Sequence, residues 1–409
     1  MDLQLDSNFT TKNSTLNISG SKSETNRLLI LQALYPNITL ENTSSSDDSE
    51  AMIKGLSSKE TVIDIHHAGT TMRFLAAFFA MQDGEEKTLT GSSRMKERPI
   101  KVLVDGLRQL GAEIEYIENE GFPPIRIKGK KITQNKVNLK ADVSSQYISA
   151  LLLIGSKLEN GLEITLEGTI TSVPYIKMTL ELLKEIGIKT NFEENKISVF
   201  YKSASNEKQI IAVESDWSSA SYFYSIVAMS KIGTEIILSN YKKHSLQGDA
   251  ALSEIYKNFG VETKFNNDNS ISIKKINIHL LSTIKEQLNN TPDIAQTIVV
   301  TCLGLGVGCH LTGLHTLKIK ETDRLEALKI ELSKLGATIE ITDDSLTLEP
   351  VSTINPNIKI ATYNDHRMAM AFAPLSIKVP MTIENAEVVS KSFPDFWDNL
   401  KTIGFQIKN

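Results

Sequence analysis

The 409-residue sequence has few cysteines and no surplus of positive charge, and each shortage excludes a class of protein. Its two cysteines, Cys302 and Cys309, cannot build a disulfide framework, and their spacing matches neither a CxxC redox motif nor a zinc pair. We interpret them as buried, inert thiols in a reducing compartment. The net charge of −5 argues against nucleic acid or a polybasic membrane surface as the main partner.

Targeting and membrane signals are also missing. The amino terminus, MDLQLDSNFTTKN, lacks the basic start and apolar core of a signal peptide and the arginine-rich character of a transit peptide, so we expect a cytoplasmic protein. Residues 294–317 carry no charge and are long enough to span a bilayer. Because four glycines interrupt them, we predict a buried helix, a glycine turn and a strand instead.

The composition that remains is that of a globular chain, with 41% hydrophobic and 23% charged residues. A chain of this length exceeds the size at which one core keeps growing, so we expect two domains of roughly 200 residues.

An internal repeat organises the chain. Segments such as LLKEIGIKTNF and LSKLGATIEIT contain an apolar helix pattern, a glycine and an alternating strand. Glycine suits the residue that ends a helix because it adopts the left-handed conformation without a Cβ clash. The pattern recurs with its glycine at Gly111, Gly187, Gly260, Gly336 and Gly404, and more weakly at Gly55.

A second pattern lies about 40 residues before each of these glycines, except Gly55, where the interval is shorter. There a polar cluster opens another apolar helix. The clusters begin near Ser23, Thr70, Ser145, Ser219, Asp293 and Asn364. The sequence therefore predicts an α/β protein of six similar units, three in each domain.

Simple capping explains part of this second pattern, since Ser21 with Glu24 matches a capping box and WSSASYFYSIV needs nothing more. It does not explain the cations and amides in the same helix starts, because a helix amino terminus disfavours cations. Bound phosphates and carboxylates would explain them. These residues are Lys22, Arg27, Arg73, Gln146 and Arg367.

Two further segments add charge. In TGSSRMKERPI, we expect a strand that places Arg94, Lys96 and Arg98 on one face. In KETDRLEALKIEL, we expect a helix from Lys320 that pairs Glu321 with Arg324, although a surface ion pair would account for this segment equally well.

Taken together, these segments resemble the 5-enolpyruvylshikimate-3-phosphate synthase family from about Gly20 to Pro394. The shared motifs are GSKSETNR, HAGTTMR, RMKERPI, SSQY, SVPY, TPDIA, KETDR, NDHRMAM and KSFPDF, in the family's order. The resemblance implies a two-lobed inside-out α/β barrel of six βαβαββ-type repeats. It also implies one lobe of residues 1–19 and 215–409, a second of 20–214, and an active site in the cleft between them.

The resemblance further implies the reaction and its ligands. The family transfers the enolpyruvyl group of phosphoenolpyruvate to the 5-hydroxyl of shikimate 3-phosphate, as a step of aromatic amino acid biosynthesis, without metal or cofactor. Phosphoenolpyruvate would contact Lys22, Gly69, Arg94, Gln146, Arg324, Arg367 and Lys391. Shikimate 3-phosphate would contact Lys22, Ser23, Arg27, Ser144, Ser145, Gln146, Ser172, Tyr175, Asp293, Thr316 and Lys320.

The chemistry requires an acid and a base. We assign Asp293 as the base toward the hydroxyl, Glu321 as the group that protonates C3, and Lys22 as the assistant to the departing phosphate. Glu321 needs burial or bound anions to raise its pKa, because Arg324 alone would lower it. We expect these two small molecules as the partners of a monomeric enzyme.

Three positions depart from the family's common pattern. His67 replaces a common asparagine, Phe74 a frequent proline, and Thr316 an asparagine that touches shikimate 3-phosphate in some members, so that contact is in doubt. We expect His67 to pack or hydrogen-bond rather than react. Gly69 keeps the small residue that leaves room for the inhibitor glyphosate, so we expect sensitivity to it.

Two alternatives remain open at this point. One is the related transferase that acts on UDP-N-acetylglucosamine, which carries a reactive cysteine before its arginine motif, whereas both cysteines here are far from residues 90–98. The other is a non-catalytic repeat scaffold or RNA-end-binding module, against which the negative charge and the positions of Asp293 and Glu321 argue.

Overall fold

The computed structural model describes residues 1–7, 10–141, 144–170, 172–278 and 281–408. The chain divides into two compact units. The discontinuous unit contains Met1–Ser19 and Glu214–Asn409, and the continuous unit contains Gly20–Val213. Among the described residues, no helix is both long and apolar enough to cross a membrane.

The chain begins in the discontinuous unit and then enters the continuous one. The first two strands are β1 (Leu3–Leu5) and β2 (Ser14–Leu16). The helices of the continuous unit are α1 (Lys22–Leu34), α2 (Asp47–Ser57), α3 (Gly69–Ala80), α4 (Ser93–Lys96), α5 (Lys101–Gln109), α6 (Ser145–Gly155) and α7 (Val173–Glu185). Its strands are β3 (Ile38–Glu41), β4 (Val62–Asp64), β5 (Glu86–Thr90), β6 (Glu113–Tyr116), β7 (Ile125–Lys128), β8 (Lys136–Lys140), β9 (Leu162–Glu167), β10 (Thr190–Glu193), β11 (Lys196–Val199) and β12 (Gln209–Ala212).

Two four-stranded sheets and one two-stranded sheet are described in the continuous unit. Their orders are β4-β5-β7-β6, β10-β11-β9-β8 and β12-β3. Each four-stranded sheet contains one parallel pair, β4 with β5 or β8 with β9, and is otherwise antiparallel. The same pattern in both sheets is what a repeated unit predicts.

The remaining elements belong to the discontinuous unit. Its helices are α8 (Trp217–Met229), α9 (Leu252–Ile255), α10 (Ala295–Leu305), α11 (Arg324–Lys334), α12 (His366–Phe372) and α13 (Phe396–Thr402). Its strands are β13 (Glu235–Leu238), β14 (Val261–Phe265), β15 (Ile271–Lys275), β16 (Thr283–Gln287), β17 (Gly308–Thr312), β18 (Ile339–Ile341), β19 (Ser345–Leu348), β20 (Ile358–Ile360), β21 (Met381–Ile383) and β22 (Ile407–Lys408). Short 3₁₀ segments include Pro292–Ile294, His315–Ile319 and Ala386–Lys391.

Three four-stranded sheets are described in the discontinuous unit, in the orders β14-β15-β13-β2, β16-β17-β19-β18 and β20-β21-β1-β22. The two amino-terminal strands complete two of these sheets, since β2 pairs with β13 and β1 lies between β21 and β22. With three sheets in each unit, the predicted α/β fold of six repeats is confirmed.

Helices form the interior of each unit and sheets its outside. Every residue of α3 is buried, as is all of α8 except Ser218, which is typical of a helix surrounded by protein. Strands such as β7 and β8 alternate buried and exposed residues, so they cover the helices with one face. The inside-out arrangement therefore follows from apolar helices and half-apolar strands.

Most of the glycine pattern is confirmed. Gly111, Gly187, Gly260, Gly336 and Gly404 all have positive φ, between 72° and 108°. The prediction for Gly55 is wrong. That residue lies inside α2, where an added Cβ would meet Leu75 Cδ1 at 2.4 Å, so it allows close helix packing rather than ending a helix.

Other local predictions had mixed outcomes. The predicted helix, turn and strand of residues 294–317 are confirmed as α10, Gly306 with φ 73°, and β17. The strand predicted around Arg94 is wrong, because Ser92 caps the short helix α4 there by accepting from the Met95 N–H. The capping box at Ser21 is also wrong, since its side chain makes no cap hydrogen bond.

The helix predicted from Lys320 begins four residues later. Asp323 accepts from the N–H groups of Leu325 and Glu326 and so starts α11 at Arg324. Capping by a carboxylate at this place explains the difference, since it satisfies the first free N–H groups of the helix.

Candidate active site

A network of charged side chains surrounds Arg324, the first residue of α11 in the discontinuous unit. Its Nε lies 2.7 Å from Asp365 Oδ2, its Nη1 2.9 Å from Asp293 Oδ1, and its Nη2 2.8 Å from Glu321 Oε2. The Arg324 side chain is 2% exposed. Burial alone would lower the pKa of Arg324, but the carboxylates of Asp365, Glu321 and Asp293 raise it above its ordinary value. The predicted pairing of Glu321 with Arg324 is confirmed.

Asp293 lies in the same network, in the 3₁₀ turn that precedes α10. Its carboxylate is 3.4 Å from Lys320 Nζ and 3.3 Å from Arg367 Nη2, and its carbonyl accepts from Arg367 Nη1 at 3.0 Å. Burial would raise the pKa of Asp293, but Arg367, Lys320 and Arg324 lower it well below its usual range. The structure therefore brings together Asp293, Lys320, Glu321, Arg324 and Arg367, all of which were predicted site residues.

Asp365 joins this network to the start of α12, and sequence reasoning missed it. Its carboxylate accepts from the Arg367 N–H at 2.9 Å and is fully buried. The preceding residues Tyr363 and Asn364 have left-handed φ values of 54° and 55°. Lys391 Nζ, another predicted ligand, donates to the Asn364 carbonyl at 2.6 Å. An aspartate directly before a helix was the available signal, because it is a preferred N-cap.

Asp249 and Ser218 also join the network at Arg367, and they were also missed. Arg367 Nη2 donates to Ser218 Oγ at 3.2 Å, and Ser218 Oγ donates to Asp249. Burial, together with the nearby charge of Asp293, raises the pKa of Asp249 to about 7. Nothing in the local sequence GDAA distinguishes this aspartate from a surface one.

Thr316 lies in the 3₁₀ segment before Lys320. Its hydroxyl is buried and has no hydrogen-bond partner within the described part of the chain. Buried hydroxyls are usually paired, so this one lacks the partner that such a group normally has.

In the continuous unit, Arg27 connects three helices. It lies on α1 and donates to Thr179 Oγ1 of α7 at 2.8 Å and to Ser149 Oγ of α6 at 3.1 Å. It also donates to the carbonyls of Ser23 and Tyr175. Burial lowers its pKa to about 10.

The amino terminus of α3 has no side-chain cap, and two arginines lie beside it. Arg73 donates to the carbonyls of Gly69 and Pro99, both at 3.0 Å. The Arg98 guanidinium lies against Gly69, where an added Cβ would meet Nη1 at 2.4 Å. Burial and then the charge of Arg98 lower the pKa of Arg73 to about 10. A helix amino terminus without a side-chain cap among the described residues, together with positive charge, makes this helix end suitable for an anion.

Arg94 has a different environment. Its side chain is 55% exposed and pairs with Glu97 at 2.9 Å. Arg98, which was not among the predicted ligands, is thus the arginine that the structure places against Gly69.

The start of α6 lies beside the start of α3. Ser144 caps α6 by accepting from the Gln146 N–H, and Gln146 Nε2 donates to Thr70 Oγ1 at 3.3 Å. Ser145 is buried in the first turn. Ser172 precedes α7 with a φ of 53°, and Lys22 and Ser23 open α1. Among the described residues, Lys22 forms no ion pair.

His67 precedes this cluster, with its Nε2 3.6 Å from Asp47 Oδ2 and its side chain 38% exposed. That distance is beyond hydrogen-bond range. The described residues contain no group of three His, Cys, Asp or Glu side chains that could hold a metal ion.

Comparison with solved structures gives the class of fold. An EPSP synthase from Acinetobacter baumannii matches with a TM-score of 0.79 and 22% identity, covering 100% of both chains. A second EPSP synthase structure from the same organism has a TM-score of 0.78. At this identity the likeness concerns the fold alone.

Sequence comparison gives the family. The profile of EPSP synthase (3-phosphoshikimate 1-carboxyvinyltransferase) matches residues 49–400. The 3-phosphoshikimate 1-carboxyvinyltransferase of Bacteroides fragilis is 45% identical over 398 residues, covering 96% of each chain. That of Shewanella pealeana is 35% identical over 420 residues, covering 95% of this chain and 96% of its own. The chain therefore belongs to the EPSP synthase family, and the predicted resemblance is confirmed.

Proposed function

We propose that this chain catalyses the 3-phosphoshikimate 1-carboxyvinyltransferase reaction of the shikimate pathway. The reaction transfers the enolpyruvyl group of phosphoenolpyruvate to the 5-hydroxyl of shikimate 3-phosphate and releases phosphate. Family membership over nearly the whole chain supports the activity. The observation that carries it is the Arg324 network, where two carboxylates suited to proton transfer lie among three cations.

Both substrates are anionic, so their binding requires cations and helix amino termini. For phosphoenolpyruvate we propose Lys22, Gly69, Arg94, Gln146, Arg324, Arg367 and Lys391. We add Arg98, because it and not Arg94 lies against Gly69. For shikimate 3-phosphate we propose Lys22, Ser23, Arg27, Ser144, Ser145, Gln146, Ser172, Tyr175, Asp293, Thr316 and Lys320. The unpaired hydroxyl of Thr316 supports its place in this set.

In the first step the 5-hydroxyl adds to C2 of phosphoenolpyruvate while C3 takes a proton. Asp293 accepts the hydroxyl proton and Glu321 donates the proton to C3. In the free protein three cations hold the pKa of Asp293 low, which makes it a weak base. Anionic substrates that occupy Arg367, Lys320 and Arg324 would weaken this effect and raise the pKa of the carboxyl groups.

In the second step the tetrahedral ketal phosphate loses phosphate. The C2–O bond to phosphate breaks, the new methyl group at C3 returns a proton to Glu321, and the C2–C3 double bond forms again. Lys22 assists the departing phosphate, which its unpaired ammonium group permits. The proton that Asp293 took from the hydroxyl leaves with the phosphate, so both carboxyl groups return to their starting states, and protons and charge balance without a further reactant.

A phosphate-release assay tests the proposal. With phosphoenolpyruvate and shikimate 3-phosphate together, we expect phosphate and the enolpyruvyl ether product in equal amounts. Neither substrate alone should give phosphate. UDP-N-acetylglucosamine as the acceptor should give none either. Release with that sugar nucleotide and not with shikimate 3-phosphate would refute the acceptor, and no release with either would refute the reaction.

We also propose the cellular compartment and the oligomeric state of the enzyme. We place it in the cytoplasm, because its two cysteines are buried and free, which fits a reducing compartment. We expect it to act as a monomer without a metal or cofactor. Light scattering across a concentration series would report the mass, and activity should persist after treatment with a chelator.

A further inference from the structure

The segment Ala361–Asn364 adopts a conformation that the surrounding protein must hold in place. Tyr363 and Asn364 are consecutive non-glycine residues with left-handed φ values of 54° and 55°. Each such residue costs on the order of 1 kcal/mol or more, and it persists only where neighbouring contacts determine it.

This segment sets the positions of proposed phosphoenolpyruvate ligands. Directly after it, Asp365 accepts from Arg324 Nε at 2.7 Å and from the Arg367 N–H at 2.9 Å. Its last carbonyl, that of Asn364, accepts from Lys391 Nζ at 2.6 Å. Any shift of the segment therefore moves groups that hold Arg324, Arg367 and Lys391.

Glu331 of α11 holds the other end of the segment. Its Oε1 accepts from the Tyr363 hydroxyl at 2.7 Å and its Oε2 from the Ala361 N–H at 3.2 Å. Lys334 Nζ donates to both oxygens at 2.8 Å, and the Glu331 side chain is fully buried.

The geometry of α11 relates Glu331 to the Arg324 network. Glu331 lies seven residues after Arg324, which is about two helical turns or roughly 10 Å along the axis and on nearly the same face. Helix α11 thus contacts the chain on both sides of the left-handed residues. Glu331 bonds to the Ala361 N–H before them, and Arg324 bonds to Asp365 after them. A buried carboxylate is expensive to desolvate, and an apolar side chain would pack a helix against a loop at lower cost.

Resting on the proposed function, we infer that Glu331 is a positioning residue for the transfer reaction. Through Tyr363 and the Ala361 N–H it fixes the left-handed segment, so that Arg367 and Lys391 stand in the arrangement that binds phosphoenolpyruvate. It is not among the residues proposed to contact either substrate.

Two variants that each remove one donor to the same carboxylate separate positioning from stability. Tyr363→Phe removes the donor on the segment and keeps the ring. Lys334→Met removes the donor on the surface side, outside the proposed site. We expect Tyr363→Phe to raise the KM for phosphoenolpyruvate about 5- to 10-fold, the size of one lost hydrogen bond of about 1 kcal/mol. In Tyr363→Phe, the KM for shikimate 3-phosphate should change less than about 2-fold. In Lys334→Met, kcat and both KM values should change less than about 2-fold.

Glu331→Gln gives the larger effect, since it removes the charge that three donors share. We expect kcat/KM for phosphoenolpyruvate to fall about 10- to 100-fold. Adding Tyr363→Phe to Glu331→Gln should cost little more, because the two act through one contact. If Glu331→Gln does not fold, the comparison of Tyr363→Phe with Lys334→Met still tests whether Glu331 is a positioning residue.

Hydrogen exchange gives a readout that needs no activity. The amides of residues 361–367 should exchange faster in Tyr363→Phe and at the wild-type rate in Lys334→Met. Equal kinetics and equal exchange in these two variants would overturn the inference. Wild-type protein that releases no phosphate would instead refute the proposed function, whatever the exchange result.

Discussion

The two units of the molecule surround their buried arginines with opposite kinds of partner. In the discontinuous unit, Arg324 contacts three carboxylates, which raise its pKa. In the continuous unit, Arg27 and Arg73 donate their hydrogen bonds to hydroxyls, carbonyls and a thioether, and burial lowers the pKa of each to about 10. The first environment is balanced in charge, whereas in the second Glu24 and Asp48 offset only part of the positive charge of the arginines.

The difference indicates a division of work. Carboxylates among cations can hold or release protons as anions come and go, which suits acid–base chemistry. Buried arginines bonded to neutral oxygens leave a positive field that attracts phosphates and carboxylates. We therefore expect loss of the carboxylates Asp293 and Glu321 to lower kcat, and substitutions near α3 to raise the KM for phosphoenolpyruvate.

The largest effect should come from the carboxylates of the balanced network. We expect Glu321→Gln and Asp293→Asn to lower kcat about 100- to 10,000-fold, since each removes a proton-transfer group. Steady-state kinetics measure kcat, and equilibrium titration of both substrates measures binding. Near-wild-type turnover in Glu321→Gln would exclude Glu321 as the group that protonates C3.

The next effect tests the positive unit and separates two arginines. Arg98→Ala should raise the KM for phosphoenolpyruvate about 10- to 100-fold, because a charge-assisted hydrogen bond contributes about 1.5–3 kcal/mol. Arg94→Ala should raise it less, about 3-fold, since its exposed side chain pairs with Glu97 and does not lie against Gly69. A larger rise for Arg94→Ala than for Arg98→Ala would make Arg94 the stronger ligand.

A smaller effect is expected at Gly69. An added Cβ would meet the Arg98 guanidinium at 2.4 Å, and this flexible side chain would move aside. Gly69→Ala should therefore fold and raise the KM for phosphoenolpyruvate about 3- to 10-fold. We also expect glyphosate to compete with phosphoenolpyruvate in the wild type and to inhibit the variant less. Absence of competition at millimolar glyphosate would contradict the predicted sensitivity.

The last effect concerns stability rather than kinetics. The pKa of Asp249 is raised from 3.8 to about 7 in the folded protein, so the folded state keeps a proton that the unfolded state releases. This contribution favours folding below about pH 4 and is lost as the pH rises toward 7. Asp249→Asn should thus gain unfolding free energy relative to wild type between these pH values, by roughly 3 kcal/mol. Urea unfolding at pH 4.5 and 8 measures it, and a relative loss at the higher pH would be inconsistent with a buried, protonated Asp249.

Sequence patterns predicted the features that depend on neighbouring residues. Gly187 and Gly336 end helices because only the local backbone decides their conformation. Glu321 and Arg324 pair because they are three residues apart. Motifs spread over most of the sequence also indicated the family.

What sequence patterns could not supply are contacts between distant segments. In the sequence, Glu331 has the features of an ordinary helix residue. Its hydrogen bond with Tyr363, 32 positions later, is visible only in the structure. The expected strand would have placed Arg94 and Arg98 on one face, but the chain forms the short helix α4 there, and the two side chains have different neighbours. Gly55 matched the repeat only by the pattern of its flanking residues, and it serves the packing of α2 against Leu75.

The central claim is that the discontinuous unit carries the proton transfer at C3 through Glu321. The direct measurement is a single turnover in D₂O, with deuterium at C3 of the product followed by mass spectrometry. Wild-type enzyme should release phosphate and place solvent deuterium in the vinyl group. Glu321→Gln should bind both substrates yet lose phosphate release and deuterium together. Deuterium incorporation by Glu321→Gln at the wild-type rate would contradict the account.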